Sequence, residues 1–236
     1  PAKKAIITAP ARSKRDIVAH YGLDPATVTV IHEAAAPEFA LIPDRLVADA
    51  RRHYALPERF LIHVGTIEPR KNLTRLIEAL ARLRAEGLAI PLVAVGSRGW
   101  LYEDFFRKMD ELGMADMVHF PGYVPAADLP LLYNAASVAI LPSVYEGFGL
   151  PLLEAMACGA PIVSSNTSSL TEIGGDAAHY FDPYDLEAMV DAIRSVWRDT
   201  ALQAEMRRRG LRQADRFSWD RAAAETCAVY EALLNQ

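Results

Sequence analysis

Residues 60–96 read FLIHVGTIEPRKNLTRLIEALARLRAEGLAIPLVAVG, and this stretch decides the class of fold. The apolar runs Phe60–Val64 and Leu92–Val95 each end at a glycine. Between them, leucine and isoleucine recur at helical spacing, after Asn72 as an N-cap and before Gly87, which suits a helix C-terminus. Two short apolar runs that flank an amphipathic helix predict a βαβ unit with parallel strands.

The same alternation continues along the chain. Further strands are expected at Val118–Phe120, Val138–Leu141, Ile162-Val163 and His179–Phe181. Helical patterns then dominate the C-terminal region, at Leu186–Trp197, Leu202–Ala214 and Trp219–Leu234. Strands that alternate with helices predict an α/β fold, a Rossmann-like doubly wound parallel sheet with C-terminal helices.

Residues 1–40 form a region of a different kind. Strands are expected at Ala5–Thr8 and Val28–Ile31, with a helix at Ser13–Tyr21 between them, and a further helix is expected at Leu46–Tyr54 in the segment that follows. Pro37–Pro57 is richer in proline and charge, so it is interpreted as a link to the main sheet. We therefore predict two units: residues 1–40, a remnant of a neighbouring domain or a joint to it, and residues 41–236, the main domain.

The composition excludes several classes of function. The chain has 236 residues, a net charge of −5 and 51% hydrophobic residues, which is typical of a folded globular protein. An acidic balance argues against a nucleic-acid partner, because phosphate backbones are bound by concentrated Lys and Arg. Cys158 and Cys227 lack a CxxC or zinc-like spacing, which favours a reducing, cytoplasmic environment. No apolar run approaches the roughly 18 residues of a spanning helix.

The loop after the first predicted strand carries residues suited to phosphate. It runs GTIEPRKN from Gly65 to Asn72 and places Arg70 and Lys71 before a helix N-terminus. In a parallel α/β sheet, ligands lie beyond the carboxyl ends of the strands. Arginine offers a planar fork to phosphate oxygens, and a helix start offers free N–H donors. A solvated loop is an alternative of about equal weight, because exposed charge is common.

The second informative loop runs PSVYEGFGLPLLEAMACG from Pro142 to Gly159. Two glycines around Phe148 allow a tight turn with exposed N–H groups, and Pro151 suits the first position of the next helix. Glu146 precedes the turn, and Glu154 is expected in the first helical turn, so both can reach one pocket. Carboxylates accept hydrogen bonds from hydroxyls, so a ribose or hexose suits them without a metal. For Glu154 alone, interaction with the helix dipole is the simpler account.

The pattern from Glu146 to Glu154 resembles the Glu-x7-Glu signature of the retaining glycosyltransferases of family 4, also called group 1. Gly65–Asn72 resembles the phosphate loop of the same family. Other similar segments are Phe120–Val124, Leu129–Ala136, Ser164–Asp182 and Phe217–Trp219, so the resemblance covers about residues 5–234. It implies a GT-B architecture, in which two Rossmann-like domains face each other. This chain is similar to the C-terminal, donor-binding domain.

The resemblance also implies roles for individual residues. Arg70 and Lys71 would hold the diphosphate of a nucleotide-sugar donor and Glu146 would contact hexose hydroxyls, so these are the expected catalytic residues. Glu154 would bind the ribose hydroxyls. The other expected donor-binding residues are Gly65, Gly96, Ser97, Tyr123, Val124, Phe148, Gly149 and Leu150. No metal or cofactor is expected, because cations and amides would neutralise the leaving diphosphate.

The function implied is transfer of a hexose, with retention, from a nucleotide diphosphate sugar to an unidentified glycan or lipid-linked acceptor. GDP-mannose is the first choice of donor, because residues 66–72 resemble the loop of mannosyltransferase-like members, and UDP-sugars follow closely. Nothing before residue 60 matches the glycine-rich loop and histidine of the family's N-terminal acceptor domain. We therefore expect the isolated chain to be inactive without such a domain.

Alternative interpretations remain for the function and for several residues. The main alternative function is a non-catalytic nucleotide-sugar-binding module or partner subunit. A dinucleotide-dependent oxidoreductase shares the sheet, but the G-x-G-x-x-G pattern after a strand is missing. His63 and His119 are expected to be core or strand-end residues, and Cys158 a small buried residue. The run Arg207–Arg209 with Arg212 allows peripheral contact with anionic lipid, although a solvated helical face is favoured.

Overall fold

The computed structural model describes residues 5–235, and this part of the chain has an α/β architecture. Its strands are β1 (Ile6–Thr8), β2 (Val28–Val30), β3 (Leu61–Val64), β4 (Leu92–Val95), β5 (Val118–His119), β6 (Val138–Leu141), β7 (Ile162–Ser165) and β8 (Ala178–Phe181). Its α-helices are α1 (Ala11–Tyr21), α2 (Asp44–His53), α3 (Leu73–Ala85), α4 (Glu103–Glu111), α5 (Leu129–Ala135), α6 (Leu150–Ala157), α7 (Leu170–Gly174), α8 (Leu186–Arg198), α9 (Thr200–Ala214) and α10 (Trp219–Leu234). The predicted parallel sheet with C-terminal helices is confirmed.

The order of the strands creates a reversal point in the main sheet. Six parallel strands pair in the order β5-β4-β3-β6-β7-β8. From β3 the chain adds β4 and β5 on one side, and it then returns to place β6 on the other side of β3. In doubly wound sheets, ligands bind beyond the carboxyl ends of the two strands at such a reversal. The loops after β3 and β6 therefore flank the expected binding crevice.

Helices cover both faces of this sheet because its strands are apolar on both faces. On one face, Leu76 of α3, Phe105 of α4 and Ile193 of α8 pack into one buried cluster. On the other face, Leu132 of α5 and Met156 of α6 belong to a second cluster. Burying each of these side chains contributes about 1.5 to 3 kcal/mol. Strands buried on both faces read as continuous apolar runs, which is why the sequence reveals them.

Several element boundaries differ from the predictions by one or two residues. β3 begins at Leu61 rather than Phe60, and β7 continues to Ser165. β5 ends at His119, so Phe120 lies outside the strand and is 37% exposed. A proline follows Phe120 on this edge strand, and proline cannot donate to the ladder, which accounts for the early end.

The N-terminal segment, residues 5–40, contacts helix α7 through the carboxylate of Glu172. Glu172 of α7 accepts hydrogen bonds from the backbone N–H of Ala11 at 2.9 and 3.0 Å. Its Oε1 also lies 2.8 Å from His32 Nε2. Ala11 begins α1, so the carboxylate meets the positive end of that helix. β1 and β2 form a separate parallel pair, and the division of the chain at residue 40 stays a prediction.

Asn72 precedes α3 as expected, but its side chain does not cap that helix. The residue has a φ of +58°, in the left-handed region. Its side-chain amide instead donates to the carbonyl oxygens of Pro142 at 3.1 Å and Pro183 at 3.0 Å. Asn72 therefore ties the β3 loop to the loops that follow β6 and β8. Gly87 follows α3 with a φ of +82°, as its predicted C-terminal position requires.

The backbone at Gly96, after β4, lies very close to the backbone at Gly65, after β3. The φ of Gly96 is +151°, and a Cβ there would lie 2.1 Å from the carbonyl oxygen of Gly65. At Gly87, nothing lies within 4 Å of the Cβ position, so Gly87→Ala tests backbone conformation alone. We expect Gly96→Ala to lower the free energy of unfolding by about 1 to 3 kcal/mol more than Gly87→Ala, because atoms are forced into a packed site. Urea denaturation measures both losses, and equal losses would contradict the close approach.

Candidate functional site

The loops after β3 and β6 meet at the reversal point of the sheet. The β3 loop, residues 65–72, contains a 3₁₀ turn at Pro69–Lys71. The β6 loop, residues 142–149, runs beside it, and the N–H of Val144 donates to the carbonyl of Arg70 at 2.9 Å. The two loops singled out in the sequence therefore form one continuous surface.

Glu146 lies at the centre of a group of charges that we call the Glu146 cluster, consisting of Glu146, Arg70, Lys71 and Ser143. The Oε1 atom of Glu146 accepts hydrogen bonds from Lys71 Nζ at 2.7 Å and Ser143 Oγ at 2.6 Å. Its Oε2 atom accepts one from Arg70 Nη1 at 2.7 Å. Lys71 is only 8% exposed and Glu146 only 7%. These charges therefore interact with little water between them, which strengthens their attraction.

The cluster keeps Glu146 ionised. Burial alone would raise the pKa of the Glu146 carboxyl, but Lys71, Ser143 and Arg70 outweigh it and hold the pKa below the ordinary value of 4.5. Arg70 Nη2 also donates to Glu68 Oε1 at 2.6 Å. Two cations and two carboxylates thus meet here. An ammonium has three N–H donors and a guanidinium has five, so both cations keep donors for a ligand.

The β6 loop presents backbone amides beside the cluster. Gly149 has a φ of +104°, which favours glycine, and Leu150 begins α6. Among residues 5–235, no acceptor contacts the N–H groups of Phe148, Gly149 or Leu150. These groups lie at the positive end of a helix, an arrangement that binds anions. Pro151 occupies the second helical position rather than the expected first.

Glu154 lies in the second turn of α6, not in the first turn as expected. Because the helix begins at Leu150, Glu154 is its fifth residue. Its Oε2 accepts a hydrogen bond from the Tyr133 hydroxyl at 3.2 Å. Burial raises the pKa of the Glu154 carboxyl, and the bond from Tyr133 offsets part of that rise. The helix-dipole account of Glu154 is weakened, because the dipole effect fades beyond the first turn.

A cavity of about 710 Å³ opens beyond the carboxyl ends of β3 and β4. Among its lining residues are five that the sequence had suggested: Gly65, Gly96, Ser97, Tyr123 and Val124. On its wall the rings of Phe106 and Phe120 stack with centroids 5.5 Å apart. The Arg98 guanidinium lies 4.6 Å from the centroid of Phe106. A flat aromatic wall beside a cation suits a planar heterocycle.

A second cavity, of about 430 Å³ and widely open to solvent, lies between the N-terminal segment and the β6 loop. Its wall on the β6 side consists of Glu146, Gly147, Phe148, Gly149, Leu150 and Pro151. Lys71 Nζ lies 3.5 Å from the Cβ position of Gly65, which lines the first cavity. The Glu146 cluster therefore lies between the two cavities. Of the expected site residues, Glu154 alone lines neither cavity and lies outside the cluster.

Sequence reasoning missed several residues that shape the site. Two serines after β7 hold the backbone of Glu146: its N–H donates to Ser168 Oγ at 2.9 Å, and its carbonyl accepts from Ser169 Oγ at 3.1 Å. Ser143 and Arg98 were missed as well. Arg98 carried a usable signal, because it lies two residues after the glycine that ends a strand. The serines carried none, since serine is an ordinary loop residue.

His63 and His119 lie on strands and Cys158 is buried, as the sequence predicted. His63 is buried in β3 with its Nδ1 3.2 Å from the carbonyl oxygen of Ile140, and burial lowers the pKa of its imidazole to about 4. His119 Nε2 lies 2.8 Å from the carbonyl oxygen of Tyr54. Cys158 is fully buried. Over residues 5–235, no group of three or more His, Cys, Asp and Glu side chains is arranged to hold a metal ion.

The arginine run of α9 lies on an exposed helical face. Arg208 and Arg209 both pair with Glu205 one turn earlier, and Arg207 and Arg212 are exposed. This arrangement agrees with a solvated face, and contact with lipid stays a prediction. None of the helices described is long and apolar enough to span a bilayer.

The Glu146 cluster makes stability depend on pH in a defined direction. We expect Glu146→Gln to lower the free energy of unfolding by about 3 to 5 kcal/mol near pH 7, because it leaves the buried Lys71 charge without its partner. The pKa of Glu146 is lower in the folded state than its ordinary value of 4.5. Its contribution to the free energy of unfolding is therefore complete above pH 4.5 and is lost as the pH falls through the folded-state pKa. Urea denaturation across this range should show the two proteins converging at acid pH. A constant difference would contradict an ionised, paired Glu146.

Comparison with known proteins identifies the family. Residues 48–213 match the family model of the glycosyl transferases group 1. The chain is 42% identical to O-antigen chain mannosyltransferase B of Escherichia coli over 176 residues. The aligned region covers 74% of this chain and 46% of that protein. Over 224 residues the chain is 32% identical to the serotype-specific mannosyltransferase WbdA of Escherichia coli, covering 93% of this chain and 28% of that protein. The chain thus spans about half the length of these relatives, or less.

A solved structure shows the same fold. Alr3699/HepE of Anabaena, determined in complex with UDP and glucose, aligns with a TM-score of 0.82 at 20% identity, over 99% of this chain and 64% of that one. At this level of identity the likeness concerns the fold alone. Because the family model matches well over half of the chain, including both loops that build the site, the chain belongs to the glycosyl transferases group 1.

Proposed function

We propose that this chain binds a nucleotide diphosphate sugar and forms the donor half of a hexosyltransferase. The observation that carries the proposal is the Glu146 cluster, with β6-loop amides beside it that have no acceptor within residues 5–235. Positive groups lie at the reversal point of the sheet, between a larger cavity and a smaller one. A diphosphate that joins a nucleoside to a sugar matches this order of subsites.

The diphosphate would be held by groups that are already in place. Arg70 is fixed by Glu146, by Glu68 and by the carbonyl of Tyr145 at 2.8 Å, and Lys71 is fixed by Glu146. Donors that are fixed in advance stabilise the charge of a leaving group without reorganising during the reaction. Arg70 and Lys71 are therefore the proposed stabilisers of the leaving diphosphate. Glu146, which lines the smaller cavity, is proposed to contact the hexose hydroxyls.

The nucleoside would occupy the larger cavity. Backbone groups of Gly96, Ser97, Tyr123 and Val124 are proposed to lie near the base, with the stacked aromatic rings as its wall. Glu154 is proposed to accept hydrogen bonds from the ribose hydroxyls. Glu154 lines neither cavity, and Tyr133 donates to its Oε2 atom, so Oε1 is the atom proposed to accept from the ribose.

The transferred sugar is proposed to be mannose, because both relatives described above are mannosyltransferases. GDP-mannose is the preferred donor and a UDP-sugar the second choice. Transfer would proceed with retention. The bond from the anomeric carbon to the diphosphate oxygen breaks, a bond to the acceptor hydroxyl oxygen forms on the same face, and the hydroxyl proton passes to the departing diphosphate. The acceptor would be a glycan or lipid-linked glycan of polysaccharide biosynthesis, held by a facing N-terminal domain.

Calorimetric titration of the chain with GDP, UDP and ADP tests the donor site. We expect one diphosphate, GDP by preference, to bind with micromolar affinity, about −8 kcal/mol. Arg70→Ala and Glu154→Ala should each weaken that binding by about 1 to 3 kcal/mol, because each removes a hydrogen bond to a charged group.

Arg84→Ala is the matched control for these variants. Arg84 forms an exposed ion pair with Asp116 at 2.7 Å, so its loss removes a cation without touching the site. It should leave nucleotide affinity unchanged. If Arg70→Ala and Glu154→Ala both bind as well as the wild type, the proposed site is wrong.

A non-catalytic nucleotide-sugar-binding module is the alternative, and it predicts the same titrations. A transfer assay separates the two. The chain is joined to the N-terminal portion of O-antigen chain mannosyltransferase B, and labelled mannose is followed from GDP-mannose to a mannose-containing acceptor. We expect transfer that is lost in Arg70→Ala. Donor binding of normal strength without any transfer would favour the binding module.

A further inference from the structure

The N-terminal segment forms one wall of the smaller cavity, opposite the β6 loop. The residues on this wall are Thr8, Ala9, Pro10, Ser13 and Glu33. Three of them, Thr8, Ser13 and Glu33, carry side chains that can bind a polar ligand directly. The donor site proposed above uses none of the three, and the longest of them, Glu33, is the only one that carries a charge.

Helix α1 is fixed against the main domain at two points. At its first residue, Ala11, the backbone N–H donates to the Glu172 carboxylate. In the second turn of the helix, Asp16 Oδ2 accepts a hydrogen bond from the Tyr145 hydroxyl at 3.3 Å. Tyr145 directly precedes Glu146 in the chain. Ser13 lies between these two attachments, so its distance from the β6 loop is set by both.

Glu33 is positioned by its neighbour His32. The His32 ring packs against Phe148 of the β6 loop with centroids 6.1 Å apart, and against Phe217 at 5.6 Å. The Nε2 atom of His32 lies 2.8 Å from Glu172, so the histidine is directed to that carboxylate rather than to Glu33. Glu33 is thereby held beside the loop whose amides are proposed to bind an anion, yet it brings a carboxylate to the cavity.

The charges divide the crevice into two chemically different sides. Arg70 and Lys71 lie in the β3 loop, and the donors that they do not use on Glu146 and Glu68 are the ones proposed to hold the diphosphate. On the opposite wall, the Glu33 carboxylate repels phosphate but accepts hydrogen bonds from neutral hydroxyls. A ligand with a diphosphate at one end and a polyhydroxylated ring at the other satisfies both sides at once.

We propose that Glu33, assisted by Ser13, binds the hydroxyls of the sugar carried by the donor, so that the N-terminal segment completes the sugar subsite. This inference rests on the proposed function, because it assigns the sugar end of the same donor. Glu33 then determines how strongly the chain prefers the nucleotide sugar over the free nucleotide diphosphate, which lacks the hydroxyls that Glu33 accepts.

The test compares GDP with GDP-mannose by calorimetry on the full chain, and UDP with UDP-glucose if the wild type prefers uridine. We expect Glu33→Ala to weaken GDP-mannose binding about tenfold while GDP affinity changes less than about twofold. Glu33→Gln keeps one acceptor and should give a smaller loss than Glu33→Ala, and Ser13→Ala should weaken the sugar nucleotide alone. Glu38→Gln, an exposed glutamate of the same segment, is the matched control.

Each outcome decides between the two proposals. If Glu33→Ala leaves both affinities unchanged, or lowers both equally, Glu33 does not bind the sugar and the inference is overturned while the donor site stands. If the wild type binds no nucleotide diphosphate and no nucleotide sugar, the proposed function itself fails. A selective loss for the sugar nucleotide, absent in Glu38→Gln, supports the sugar subsite.

Discussion

The Glu146 carboxylate accepts hydrogen bonds from Lys71, Arg70 and Ser143 inside the protein, and the arrangement of the crevice depends on this one group. A buried cation is costly unless it is paired. Glu146 therefore allows two cations to stay close together at the end of a hydrophobic strand. The same bonds join the β3 loop to the β6 loop, so the electrostatics of the site and the positions of its loops have one cause.

Topology explains why these loops meet. β3 and β6 are neighbours in the sheet, although two strands and several helices separate them along the chain. Their carboxyl ends therefore point into one crevice, and Asn72 adds the loop after β8 to the same junction. Glycine is required where the backbones come closest: a Cβ on Gly96 would collide with the carbonyl of Gly65.

The N-terminal segment takes part in the crevice as well. Glu172 holds the start of α1, and Tyr145 holds its second turn, so the segment faces the β6 loop at a fixed distance. The sequence offered only two short strands and a helix here, which favoured a remnant or a joint. The contact of His32 with Phe148 brings Glu33 to the cavity, a relationship that sequence spacing does not contain.

The sequence by itself determined the fold class, most strands and helices to within a few residues, and the two loops that build the site, but it did not predict α4 or α7. Apolar periodicity and glycine positions are local properties, so they can be read directly from the sequence. Only the tertiary structure decided which groups meet: that Glu146 pairs with Lys71, that Glu154 falls in the second turn of α6 beside Tyr133, and that Arg98 stands on an aromatic wall. Such pairings join residues far apart in the chain, and strand order and packing, not spacing, set the distances between them.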